Sequence, residues 1–95
     1  SMKIKGSIRI DLGAVDALKN GKSLLPAGVT EVLGSFSRGD PVEIIDGNGE
    51  SFGKGLINYD NIEVSAIFGK QSYEIKEILG YSGRVSVVHR DNMVI

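Results

Sequence analysis

Val42-Glu43-Ile44-Ile45-Asp46-Gly47-Asn48-Gly49-Glu50-Ser51-Phe52-Gly53-Lys54-Gly55 is the stretch on which the fold turns. Val42 to Ile45 is a short, β-branched apolar run and reads as a buried strand. Asp46-Gly47 and Asn48-Gly49 are the pairs that tight primed hairpin turns prefer. The chain therefore doubles back, and the return strand runs to Tyr59. Gly49, Gly53 and Gly55 lie along it, and glycines inside a strand mark a bulge or a bend. Ahead of the hairpin, Val29 to Phe36 reads as another strand, joined to it by the turn Ser37-Arg38-Gly39-Asp40. Three strands in succession have no helix between them, which argues against a doubly wound parallel sheet.

Working outward, Ser7-Ile8-Arg9-Ile10 alternates polar and apolar residues, as a half-buried strand does. Asp11 is placed to cap a helix whose stripe is Leu12, Val15 and Leu18, with Asn20-Gly21 as its stop. Pro26 and Gly28 shape a turn before Val29, and Leu24 and Leu25 read as core plugs. After Tyr59 the period changes. Ile62, Ala66 and Ile67 fit a short helix ended by Gly69. Ser72 is expected to cap another, with Ile75, Ile78 and Leu79 buried and Gly80 ending it. Arg84 to His89 reads as a Val-rich strand, Asp91-Asn92 as a turn, and Met93 to Ile95 as a last strand. The order predicts a mixed α/β class, mainly β: a small, strongly bent sheet or pseudo-barrel flanked by short helices.

The chain has 95 residues, 41% apolar and 24% charged, enough to bury one core. With no cysteine, no disulfide framework or thiolate site is expected, and a cytoplasmic setting follows. No apolar run approaches the ~18 residues of a membrane span, and no signal peptide is expected. Ser1 before Met2 reads as a cleaved tag, with residues 1–5 as remnant and linker and 6–95 as one domain. Net charge is −1, but residues 1–38 hold six basic side chains against three acidic ones, and residues 40–69 hold six acids against Lys54 alone. The basic part can meet an anion, but solvated surface charge is the simpler account of it.

Several motifs fail on chemistry. His89-Arg90-Asp91 has the letters of a kinase catalytic loop, without the phosphate loop, strand lysine and metal-binding acid that chemistry needs. Gly47 to Gly55 resembles a phosphate cradle but opens onto a strand rather than a helix N-terminus. Asp46, Asn48 and Glu50 match positions 1, 3 and 5 of a calcium loop, but Ser51 stands where glycine is required and Ile57 where glutamate is. Nothing brings a general base to a nucleophile, so catalysis by this chain is not expected. The most specific segment is Lys22 to Val29. Lys19 and Lys22 flank a helix end and lead into a loop where Gly28 allows close approach of a ribose-phosphate. The competing reading is a purely structural turn.

Gly6-Ser7-Ile8-Arg9-Ile10-Asp11 with Gly13-Ala14-Val15 resembles the opening of a PUA domain. Gly21 to Thr30, Arg38-Gly39-Asp40, Gly55 to Tyr59, Glu77 to Tyr81 and Val88 to Asn92 resemble the PUA domain of bacterial glutamate 5-kinases in particular. The likeness runs over residues 6–95. It implies a pseudo-barrel of mixed strands. In RNA-binding members it implies contact at the first helix, the following loop and the next strand, here 12–19, 22–28 and 29–33. The candidate RNA or partner-binding residues are Arg9, Lys19, Lys22, Ser23, Pro26, Ala27 and Gly28. It further implies a parent chain whose amino-acid-kinase domain uses ATP and magnesium to phosphorylate glutamate. In that parent the PUA part is non-catalytic and modulates activity, homo-oligomers or the response to proline. No cofactor is expected in the chain itself. The given sequence holds no kinase domain, so two expectations stand, a domain excised from that parent or a free-standing PUA module that binds structured RNA, and residues 60–66 are less charged than the resemblance leads one to expect.

Overall fold

In the computed structural model, residues 3–95 are described; the expected tag residues Ser1 and Met2 lie outside them. The strands are β1 (Gly6–Ile10), β2 (Val29–Gly34), β3 (Pro41–Ile45), β4 (Ser51–Leu56) and β5 (Met93–Val94). The helices are α1 (Leu12–Lys19), α2 (Asn61–Ile67) and α3 (Ile75–Leu79). One mixed sheet runs β2-β1-β3-β4-β5, with β1 and β3 parallel and the other neighbours antiparallel. The class is the expected one, mixed α/β and mainly β.

The hairpin forms where its residues place it, but not through a primed turn, since Asp46, Gly47 and Asn48 all keep negative φ. The Asp46 carboxylate accepts the N–H groups of Asn48 and Glu50, and Gly49 takes φ +81°, the left-handed region that glycine enters without strain. The ladder slips between Ile44 and Ile45, and again between Arg9 and Ile10, and each irregularity bends the sheet. Gly53 serves close packing. A Cβ there would stand 2.5 Å from the Val94 carbonyl oxygen, so β5 could not lie where it does. Ile8, Ile10, Val42 and Ile44 on the inner sheet face join Ala14 and Leu18 of α1, Val64 and Ile67 of α2, and Ile75 of α3 in one buried cluster. The core is thus closed within this chain.

Several expectations need correction. Arg84 to His89 is not a strand of the sheet. Val87 and Val88 are both buried, so consecutive side chains need cover on both sides. Only Val88 forms a bridge, with Leu24, while the Val87 carbonyl accepts from the Asn58 N–H at 2.8 Å. In α1 the buried pair is Ala14 and Leu18, four residues apart, and Leu12 is 84% exposed. In α2 Val64 and Ile67 are buried, whereas Ile62 is 75% exposed and Ala66 faces solvent. Leu24 plugs the core as expected, but Leu25 is exposed. Strand β2 stops at Gly34, whose φ of +86° turns the chain and lets Phe36 tuck inward. The return strand likewise ends at Leu56 rather than Tyr59. Ser72 does not cap: a 3₁₀ turn, Ser72–Glu74, precedes α3, and the Glu74 carboxylate accepts the Gln71 N–H at 2.8 Å.

Candidate functional site

The first helix and the loop behind it make a groove. Asp11 follows β1 directly and caps α1, its carboxylate accepting the Ala14 N–H at 2.8 Å. The Asp11 N–H in turn donates to the Gly28 carbonyl at 3.0 Å, which clamps the Pro26–Gly28 turn against the helix start. Between them lies a hollow of about 300 Å³ lined by Asp11, Gly13, Ala14, Ala17, Lys22 to Leu25, Ala27 and Gly28. Its wall is mostly apolar, with Lys22, Ser23 and Asp11 as the polar groups.

The predicted site residues fall into three groups. Lys22, Ser23, Ala27 and Gly28 line the groove together. Pro26 is buried under the turn, and Lys19 lies in the last turn of α1, outside the lining. Arg9 is placed elsewhere. Its Nε donates to Glu31 at 2.9 Å, and its Nη1 donates to the carbonyls of Asp46 and Gly47 at 3.2 Å, so the guanidinium holds β1 to the hairpin tip. The freedom expected of Gly28 is used within the protein. A Cβ on Gly28 would come within 2.6 Å of the Ala14 Cβ, so the residue is small to let the turn meet α1.

One neighbour was not foreseen. The Ser23 hydroxyl accepts the Arg90 N–H at 2.9 Å, which seats the Arg90–Asn92 turn beside the groove. The only signal was the Asp91-Asn92 turn itself, and its other contact is local, an Asp91 N–H donated to His89 Nδ1 at 3.1 Å. Among the described residues, no three His, Cys, Asp or Glu side chains converge as a metal ligand set would.

Arg38 is also withdrawn from any anion site. It pairs with Glu63 at 2.6 Å, shares a hydrogen-bonded cluster with the Tyr81 hydroxyl, and lies over the Tyr81 ring. Glu63 accepts the Asp60 N–H as well, so one carboxylate ties the 37–40 turn, the start of α2 and the segment after α3. The hydrogen bond from Arg38 holds the Glu63 carboxyl down at about 2, while burial, then the bond to Glu63, raises Tyr81 to about 12. A folded-state pKa below the unfolded value stabilises above the unfolded pKa and is lost as pH falls through the folded one. Stability should therefore fall between pH ~4.5 and ~2 in wild type. Glu63→Gln should be less stable at neutral pH and should flatten that limb, which urea midpoints across the range will check. A Glu63→Gln curve with the wild-type acid slope would show that another group drives it.

These features are those of a small all-in-one domain with a helix–loop groove, and residues 6–79 match the PUA domain family; the chain belongs to it. Over all 95 residues it is 58% identical to a glutamate 5-kinase of Cereibacter sphaeroides, covering 26% of that protein. It matches the C-terminal region of such kinases and spans about a quarter of the length of the curated relatives. Among solved structures, a PUA domain from Aeropyrum pernix in complex with tartrate overlays with a TM-score of 0.65 at 27% identity, over 90% of this chain and 41% of that one. An H/ACA ribonucleoprotein bound to a substrate RNA overlays at 0.58 and 20% identity, over 90% and 22%, which shows the shared fold.

Proposed function

We propose that this chain is the non-catalytic PUA domain of a glutamate 5-kinase and acts there as a regulatory and assembly module. The observation that carries the reading is 58% identity over the whole chain to a kinase of which it spans 26%. ATP and magnesium then belong to the amino-acid-kinase domain of the same parent, which phosphorylates glutamate. The setting is cytoplasmic, and homo-oligomers form through the parent. Deleting the domain from the full-length kinase is expected to leave turnover and to alter the response to proline or magnesium, or the oligomer size. Unchanged effector response and unchanged assembly would sink this reading.

A second reading is favoured by the groove: Lys22 and Ser23 line it beside Lys19, and structured RNA can be held there by shape and backbone. The residues proposed for contact narrow to Lys19, Lys22, Ser23, Ala27 and Gly28, since Arg9 is bound to Glu31 and the hairpin and Pro26 is buried. With ~3 phosphates contacted, the log–log salt slope should lie near −2 to −3. Lys19→Glu with Lys22→Glu should weaken binding and reduce the slope. Binding that ignores both salt and these charges would exclude the groove as an RNA site.

A further inference from the structure

The sheet has a second surface that neither reading uses. Residues directly opposite across a ladder share a face. Leu33, Ser7, Glu43, Lys54 and Val94 therefore form one row across all five strands. The buried side chains of the helices join the cluster on the other side of the sheet, so this row faces outward. Leu33, Leu56 and Val94 are exposed on it, Val94 to 65%. Two adjoining hollows, about 370 and 490 Å³, share Ile4, Lys54 and Val94. The charges at the middle of the row, Glu43 and Lys54, are opposite in sign and cross-strand neighbours. An apolar face with balanced charge suits a protein surface and not a phosphate backbone.

The incoming chain crosses this same face. Ile4 lines both hollows, and the Lys5 N–H donates to the Pro41 carbonyl at 3.0 Å, pinning the entry beside β3. In the kinases whose C-terminal region this chain matches, it covers 26% of the length, so most of the polypeptide arrives through the equivalent of residues 3–5. We propose that the outer face around Ile4, Leu56 and Val94 is the docking surface for the catalytic domain that precedes it in the same polypeptide, an inference that rests on the glutamate 5-kinase reading. Inter-domain contacts bury roughly 600–1,500 Å². One broad side of a molecule measuring 32 × 27 × 23 Å can supply the lower part of that range.

The test weighs the native polypeptide carrying this segment, then compares amide hydrogen exchange in it and in the 95-residue chain, whose core is closed within itself. Residues 51–56 and 91–95 should exchange ~10-fold or more slowly in the longer protein, with residues 12–25 unchanged. Val94→Glu in the longer protein should return those rates to the values of the short chain. A native product no longer than this chain overturns the kinase reading and the docking with it. A longer product with equal exchange at 51–56 and 91–95 overturns the docking alone, as does protection that grows with protein concentration, which would assign the face to a second copy.

Discussion

Ile44→Ala is expected to destabilise the domain by ~2–5 kcal/mol, toward the upper end of that range. The side chain is fully buried in β3, flanked by Ile8 on the parallel strand and Gly53 on the antiparallel one. A cavity made beside an isoleucine can shrink if neighbours lean in. Gly53 has no side chain to lean, and its backbone is already held against Val94 by close packing. The void therefore persists, and its residual volume adds to the lost transfer energy. Small domains have ~5–15 kcal/mol in total, so the variant sits near the unfolding threshold. For a domain of this size each kcal/mol lowers the melting temperature by ~4–8 °C. Leu12→Ala, at a site 84% exposed, should stay within ~0.5 kcal/mol and serves as the control. Equal melting temperatures for the two variants would mean that β3 is not the centre of the core.

What could be read from the residues followed the range of the interactions that decide them. The hairpin at 46–49 was legible because its signals are local: Asp46 caps its own turn, and Gly49 takes the conformation only glycine takes freely. Asp11 was legible as a helix cap for the same reason. Segment 84–89 was misread because β-branched residues say that a backbone is extended but not what it pairs with. Its partners, Leu24 and Asn58, are distant in sequence. The stripes of α1 and α2 were misread because both helices are short. Over two turns a three-residue and a four-residue spacing look alike, and only the facing element decides which side is buried.

The candidate site shows the same division. Lys22 to Gly28 reads as one segment because a turn carries its own residues together, and six of its seven residues line one groove. Arg9 is a candidate only through the resemblance, not through any local signal of its own. Its position in β1 turns it instead toward Glu31 and the hairpin tip, contacts 22 and 37 residues away. The same reason explains the loss of Arg38 to Glu63. Basic composition in residues 1–38 thus overstated the charge open to an anion, since two of its six cations are already paired.

Gly28→Val is expected to cost ~1–3 kcal/mol, and the cause is packing rather than backbone strain. Gly28 does not lie in the left-handed region, so a side chain is tolerable there as far as the backbone is concerned. What forbids it is α1: the new Cβ would stand 2.6 Å from the Ala14 Cβ. Either the turn or the helix must then retreat, stretching the Asp11 N–H to Gly28 carbonyl bond that clamps them. The two causes predict different rescues. If packing is responsible, Ala14→Gly should recover part of the loss in Gly28→Ala, because it removes the atom that the new Cβ meets. The double-mutant coupling should be favourable by ~0.5–3 kcal/mol, the range found for residues in contact. If strain were responsible, Ala14→Gly would only add its own helix penalty of ~1 kcal/mol. Because Gly28 and Ala14 also line the groove, the single variant should weaken any ligand held there, and the double variant should restore it. Additive losses across the cycle, with no rescue of melting temperature, would show that the turn and the helix do not meet through these two residues.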